Sequence, residues 1–215
     1  MFRTAIFRTA FARSLGIALA AILAAPLVCA QIAWAQDPPP VRIRGTVERI
    51  DGATSVVKAR DGAELKVTVA DNAQIAGVIK ASLSDIKQNS FVGVTAMPQP
   101  DGSLNAVEVH IFPESMRGTG EGHYPRDLQP QSTMTNANVE QVVSAVDGRT
   151  LTLKYKDGEK KITVHVSAPI VTYVPGDKTD IKPGAKVFVV AVKQADGSLQ
   201  GRAWRIGRDS ITLPM

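Results

Sequence analysis

One glycine-rich segment holds the residues whose types and spacing come nearest to a chemical site. Between Arg117 and Tyr124 the sequence alternates glycine with other residues, and Glu121 and His123 lie two positions apart. A carboxylate and an imidazole supply an oxygen and a nitrogen ligand for a divalent metal, and glycines let a backbone approach a ligand closely. The segment therefore predicts either a metal site or a ligand-binding loop.

The two alternatives need different sets of residues. A metal site needs additional ligands from the preceding strand, because zinc sites usually have three or four ligands at fixed spacing, and the sequence contains no H-x-x-x-H, no H-E-x-x-H and no paired cysteines. Its candidate ligands for a divalent metal ion are His110, Glu114, Glu121 and His123. The ligand-binding alternative needs no cofactor, and its candidates are Arg117, Glu121, His123, Tyr124, Arg126 and Asp127.

Catalytic signatures are absent from this segment and from the rest of the sequence. The glycines do not form a phosphate loop, because Pro125 and Pro130 follow them where a helix would have to begin and no Lys-Ser or Lys-Thr closes the motif. No serine lies in a nucleophile elbow. We therefore expect a binding protein and not an enzyme, with a hydrolase whose triad forms only in three dimensions as the third alternative.

The first 35 residues have the layout of a secretory signal. They contain three arginines, no acidic residue and an apolar stretch over residues 15–30, and they end in Ala33-Trp34-Ala35, an A-x-A cleavage site. An uncleaved membrane anchor is the alternative. Pro26 and Gln31 disfavour it, because they leave fewer uninterrupted apolar residues than the roughly 20 that a bilayer span needs.

Export changes which partners are expected. Three arginines leave with the signal, so the formal net charge falls from +5 to +2. The net positive charge of the mature chain is therefore too small to indicate binding to a polyanion. Cys29, the single cysteine, leaves as well, which excludes a disulfide framework or a thiolate metal site. We expect a periplasmic protein with an unknown envelope component or protein as partner, no nucleic acid, and no membrane span after signal removal.

The mature sequence has the pattern of a small barrel. Residues 41–47 alternate apolar and polar side chains, as a half-buried strand does, and Asp51-Gly52 and Asp61-Gly62 are turn dipeptides. The alternation lapses from Ala70 to Ser90, which predicts a short helix or a packed loop, and two further strands follow. Three strands, a helix or loop and two strands are compatible with the five-stranded OB barrel.

The second half of the sequence repeats the first at spacings of 95 to 97 residues. Val47 and Ile50 are matched with Val143 and Val146, and turn dipeptides recur at the same spacing. We therefore predict an all-β protein with two tandem OB-like five-stranded barrels related by internal duplication. The predicted segments are a signal peptide at 1–35, a proline-rich spacer at 36–40, repeats at 41–113 and 139–208 separated by a connector at 114–138, and a C-terminal tail at 209–215.

The connector is the most unusual of these segments. It has 25 residues, more than a structureless loop in a compact domain usually has. We expect it to pack across both barrels and to shape the groove between them. Its predicted anchors are Met116, Tyr124, Leu128 and Met134. On the strand phasing, His110 and His165 point outward and are expected to be solvated, whereas Trp204 aligns with the inward Val109 and is expected to lie in a core.

Four stretches of the chain resemble a known group of proteins. VRIRGTVERIDG, VIKASLSDIKQNSFVGV, EVHIFPESMRGTGEGH and STMTNANVE are similar to a family of exported bacterial proteins with tandem OB-like repeats and no assigned function. The resemblance implies the barrel fold and the exported location, and it transfers no catalytic residues. Some members carry a metal transporter permease label, which this sequence does not support, because no apolar stretch after the signal is long enough to cross a bilayer.

Overall fold

The described part of the chain consists of β-strands, three short 3-10 turns and loops. The computed structural model describes residues 39–209, 211, 213 and 214, so the predicted signal peptide and the first part of the spacer lie outside the described residues. The all-β prediction is confirmed. The strands are β1 (Val41–Asp51), β2 (Thr54–Ala59), β3 (Glu64–Lys80), β4 (Phe91–Pro98), β5 (Leu104–Ile111), β6 (Gly122–Pro125), β7 (Thr133–Ala145), β8 (Gly148–Tyr155), β9 (Gly158–His165), β10 (Ile170–Pro175), β11 (Lys186–Lys193) and β12 (Leu199–Gly207).

Ten of these strands close two five-stranded barrels. In the first barrel the order is β1-β2-β3-β12-β11 and back to β1, closed by the parallel pairing of β3 with β12, in which Thr68 lies opposite Gln200. In the second barrel the order is β7-β8-β9-β5-β4 and back to β7, closed by the parallel contact of Asn105 with Thr163. Both orders are those of an OB barrel, in which the fifth strand runs parallel to the third.

The barrels do not coincide with the sequence repeats. We predicted that residues 41–113 and 139–208 would each form one barrel, and the pairings correct this, because β4 and β5 belong to the second barrel while β11 and β12 belong to the first. Each repeat keeps three strands and exchanges its last two with the other repeat. The cause lies in β3, whose 17 residues extend roughly 55 Å and carry the chain out of the first barrel before β4 begins.

The second half of β3 also corrects the helix or loop predicted from Ala70 to Ser90. The strand continues to Lys80, and only Leu83–Asp85 forms a 3-10 turn. From Ala76 to Val78 it pairs with β10 on one side and β12 on the other, and both of those side chains are buried. Because a strand covered in this way does not need a polar face, the alternation of apolar and polar residues disappears.

The repeats differ in their first hairpin. Val47 and Val139 are both fully buried immediately before a bulge, so these two residues are structural equivalents, and the predicted match of Val47 with Val143 is wrong. The β7–β8 hairpin is longer than its counterpart, which leaves Val143 and Val146 exposed. Alignment by the Asp-Gly turns was misleading because the insertion precedes the turn.

The connector is partly ordered into secondary structure. Glu114–Met116 forms a 3-10 turn, β6 pairs antiparallel with the start of β7, and β7 begins at Thr133, inside the predicted connector. Of its predicted anchors, Met134 is 3% exposed and Met116 packs against the apolar cluster at the junction of the barrels, while Tyr124 and Leu128 are half-buried.

Three apolar clusters stabilise this arrangement. One fills each barrel, and Trp204, predicted to be a core residue, is fully buried in the first. The third lies at the junction, where Tyr173 from β10 and Phe188 from β11 pack with Val78 from β3. Ile211 and Leu213, in the segment predicted to be a tail, are buried in this third cluster.

Candidate functional site

Charged residues are buried on the outer face of β5, where it meets the first barrel. Val109 points into the second barrel, so Glu108 and His110 point the other way, as the sequence phasing predicted. The prediction that His110 is solvated is wrong, however, because Glu108 is 0% exposed and His110 is 3% exposed. Strand β10 pairs edge to edge with β5, and the ring of its Tyr173 packs against His110 with the ring centroids 5.9 Å apart. His165 is exposed, as predicted.

A chain of polar contacts runs through this buried layer. The Thr95 hydroxyl donates a hydrogen bond of 2.7 Å to Glu108 Oε1, and Glu108 Oε2 lies 3.3 Å from His110 Nε2. The His110 Nδ1 is 3.0 Å from the hydroxyl of Tyr173. The contact between Glu108 and His110 is close enough for an ion pair when His110 is protonated, but it lacks hydrogen-bond geometry, so both atoms keep unused bonding capacity.

Glu108 is ionised despite its burial. Desolvation would raise its pKa, but the neighbouring His110, the hydrogen bond from Thr95 and the positive charge of Arg126 outweigh desolvation and hold the pKa of Glu108 below its usual value. The charge of this carboxylate is therefore stabilised by several groups at once. Removing it would leave those groups without their anion.

Two guanidinium groups lie over the ring of Phe188. Arg44 is 5.1 Å and Arg126 is 5.7 Å from the ring centroid, and their side chains are 13% and 11% exposed. Arg44 makes a bidentate ion pair with Asp127, with N–O distances of 2.8 and 3.2 Å. Those hydrogen bonds hold the pKa of Asp127 below its usual value. Arg126 makes no side-chain hydrogen bond to the described residues, and its nearest ion contact, to Asp127, is 3.9 Å long.

A third guanidinium lies at the other end of the layer. Arg205 packs on the ring of Tyr173 at 5.4 Å, and burial lowers the pKa of Arg205. Within the part of the chain that the structure describes, it has no carboxylate within 4.0 Å, and its hydrogen bonds go to the carbonyl oxygens of Gln74 and Trp204. Burial also raises the pKa of the Tyr173 phenol.

The connector covers this layer and holds Asn136. The Asn136 amide donates to the Thr119 carbonyl oxygen at 2.9 Å and to the Tyr124 hydroxyl at 3.2 Å. Gly120 lies between them with a φ of 57°, in the left-handed region that favours glycine, and a Cβ there would approach the Asn136 amide at 3.1 Å. The glycine spacing noted in the sequence therefore shapes a close-fitting lid over the polar layer.

Between the lid and the layer lies a cavity, which we call the junction pocket. Its volume is about 140 Å³, well above the ~15 Å³ that admits a single water. Five buried side-chain atoms of the described residues have no hydrogen-bond partner, and three of them belong to residues that line this pocket: His110 Nε2, Arg126 Nε and Asn136 Oδ1. The other two belong to neighbours of the lining: Arg44 Nε is in the guanidinium over Phe188, and Glu108 Oε2 is 3.3 Å from His110 Nε2. The pocket is lined by His110, Phe112, Thr119, Tyr124, Arg126, Met134, Asn136, Tyr173, Phe188 and Arg205.

The predicted binding residues divide between this pocket and the opposite face of the connector. Tyr124 and Arg126 line the pocket, and Asp127 supports it through Arg44. Glu121 instead accepts a hydrogen bond of 3.0 Å from the backbone N–H of Lys156. The remaining two also lie elsewhere: His123 bonds Thr135 and stacks on Tyr155, and Arg117 bonds Glu114 and Asn138.

The predicted metal ligands are not brought together. His110 is buried beside Glu108, Glu114 is paired with Arg117, and the other two have the separate contacts given above. Across the described residues, no group of three or more His, Cys, Asp or Glu side chains is arranged to hold a metal ion. The sequence proximity of Glu121 and His123 was misleading because both side chains already have protein partners: Glu121, just before β6, accepts from the Lys156 backbone N–H, and His123, in β6, bonds the Thr135 hydroxyl.

Sequence reasoning missed Glu108, Tyr173, Phe188 and Arg205 as a group. One signal in the sequence could have revealed them: large aromatic residues lie on strand faces that the alternation pattern assigns to solvent. Phe112 continues the face of Glu108 and His110 beyond the end of β5, and Phe188 alternates with the inward valines of β11. A large aromatic residue on a strand's outer face indicates that another element covers that face.

The fold and the site define a class: a strand-exchanged pair of OB-type barrels with a charged pocket at their junction. A family model described as Domain of unknown function (DUF5666) matches residues 44–110, the first repeat from β1 to β5. No curated protein and no solved structure matches the chain. The strands of the matched segment lie in both barrels. No helix in the described residues is long and apolar enough to span a membrane.

Proposed function

We propose that the chain is an exported, non-enzymatic binding module of the bacterial periplasm, and that its ligand, a component of the cell envelope, binds in the junction pocket. The observation that supports this most is that, of the five partnerless buried polar atoms, three belong to residues that line one cavity and two to neighbours of that lining. Buried polar groups normally have partners, and a bound ligand would supply them.

The alternative of catalysis has less support. The Glu108, His110 and Tyr173 contacts have the order of a relay that activates a nucleophile. Such a nucleophile needs a lowered pKa or an exposed hydroxyl, whereas burial raises the pKa of Tyr173. The relay therefore favours holding a polar ligand over attacking one.

The proposal predicts that soluble envelope fragments bind at the pocket. Titration of ¹⁵N-labelled residues 36–215 with muramidase-digested peptidoglycan should shift the amide resonances of Thr119, Tyr124 and Asn136. Tyr124→Phe removes the hydroxyl that contacts Asn136, and we expect it to weaken binding several-fold. The matched control is Tyr155→Phe, since Tyr155 lies outside the pocket lining.

Two results would contradict the proposal. The first is that these fragments shift the amide resonances of another surface, or shift no resonances at all. The other concerns export: mass spectrometry of the periplasmic fraction should find a chain that begins at Gln36, and recovery of the full-length chain from the cytoplasm alone would refute the periplasmic location.

A further inference from the structure

The charges around the junction pocket do not balance. Arg44, Arg126 and Arg205 lie in or beside it, and a fourth arginine, Arg42, is close enough for its charge to act on Arg126 and Asp127. The carboxylates that oppose them are Asp127, which is paired with Arg44, and Glu108. Even without Arg42, which is exposed, three guanidinium groups in or beside the pocket lie near two carboxylates, and the local charge is positive whatever the protonation of His110.

Two of these arginines have hydrogen-bond capacity that the protein leaves unused. A guanidinium has five N–H donors. No side-chain hydrogen bond to the described residues uses those of Arg126, although its side chain is only 11% exposed, and Arg205 donates only to two carbonyl oxygens. Burying a guanidinium without an anion is costly, because the lost hydration is not replaced.

The shape of the pocket fits a small anion better than a large apolar ligand. Polar donors converge from three elements: Arg126 from the connector, Arg205 from β12 and the Tyr173 hydroxyl from β10. The Asn136 amide N–H groups are already used by Thr119 and Tyr124. Phe112 and Phe188 form apolar walls that lower the local dielectric and strengthen each charge interaction. The fork of a guanidinium matches the two oxygens of a carboxylate or a phosphate.

We infer that the junction pocket is an oxyanion site, which binds a carboxylate or phosphate group through Arg126 and Arg205. This inference rests on the proposed function and specifies the chemical class of the ligand. The site draws on both barrels, since Arg205 belongs to the first barrel and His110 to the second. An envelope polymer would present such a group as a carboxylate or as a phosphodiester.

The test is a titration of residues 36–215 with inorganic phosphate and, separately, with acetate, at constant ionic strength and followed by the NMR signals of the arginine Nε–H groups. We expect saturable shifts of the Arg126 and Arg205 signals. Arg205→Gln should weaken binding at least tenfold, because it removes a charge that the protein leaves unpaired. Arg202→Gln is the matched control, since Arg202 is an exposed residue of the same strand.

Each outcome has a defined meaning. Binding of both anions supports the shared oxyanion chemistry, while binding of phosphate alone or acetate alone supports it and identifies the source as phosphoryl or carboxyl. Equal affinity of wild type, Arg205→Gln and Arg202→Gln, or no binding of either anion, overturns the inference. If neither anion binds but neutral N-acetylglucosamine shifts the NMR signals of residues that line the pocket, the oxyanion inference is overturned and the proposed binding role is retained. Arg126→Gln is a second variant, and its amide spectrum shows whether it folds.

Discussion

Glu108→Ala is expected to lower the free energy of unfolding by about 3–5 kcal/mol, the usual cost of removing one partner from a buried charge network. The substitution removes one of the two carboxylates whose charge acts on the buried Arg126, and it leaves the Thr95 hydroxyl without its acceptor and His110 without its ion contact. Urea denaturation of residues 36–215 measures the effect. Glu114→Ala is the control: Glu114 also pairs with an arginine, but its side chain is 77% exposed, so we expect little change.

The effect of Glu108→Ala should depend on pH in a definite direction. The folded pKa of Glu108 lies below its unfolded value, so its contribution to stability is fully present above the unfolded pKa, about 4.3, and is lost as the pH falls through the folded pKa. The stability difference between wild type and variant should therefore narrow in acid. A difference that stays constant or grows as the pH falls would contradict the ionised state of the buried carboxylate.

Trp204→Ala is expected to cost about 3–5 kcal/mol and to destabilise both barrels together. Trp204 is fully buried in the first barrel, and its indole N–H donates to the Gly201 carbonyl oxygen at 3.2 Å. The barrels share no strand, but β10 pairs with β3 of the first barrel and with β5 of the second, and the third apolar cluster packs at their junction, so loss of one barrel removes contacts that stabilise the other. We therefore expect one cooperative transition and faster amide hydrogen exchange in β8 and β9, although these strands do not touch the substituted position.

The reciprocal substitution is the control for this coupling. Leu153→Ala in the core of the second barrel should accelerate hydrogen exchange in β1 and β2 of the first barrel. Two separate unfolding transitions, or an effect confined to the substituted barrel, would mean that the barrels are independent and that β10 and the junction cluster do not couple them.

Much of the fold was predictable because its signals are local. The alternation in β1 and the Asp-Gly turns predicted strands and hairpins, and the duplication predicted two barrels with Trp204 in a core. The exchange of strands was not predictable in this way. Residues of β4 and β11 have the same pattern and face the same kind of core in either barrel, so periodicity does not distinguish the two pairings.

The site was predictable only in part, and for a related reason. Tyr124 and Arg126 were identified because the connector is unusually long and polar. Glu108 and Arg205 were not identified, because a polar residue on the outer face of a strand is normally solvated. Their burial depends on β10 and the connector covering the junction, which is a property of the assembled fold and not of either strand.

The central claim is that the two repeats exchange their last two strands, and disulfide trapping tests it most directly. The chain that begins at residue 36 has no cysteine, so any disulfide that forms must join the two introduced cysteines. Thr68 lies opposite Gln200, and Asn105 lies opposite Thr163, distances that a disulfide spans. We predict that Thr68→Cys with Gln200→Cys, and Asn105→Cys with Thr163→Cys, oxidise to intramolecular disulfides that peptide mapping identifies. Efficient crosslinking of Thr68→Cys with Asn105→Cys instead would show that each repeat closes its own barrel and would contradict the account.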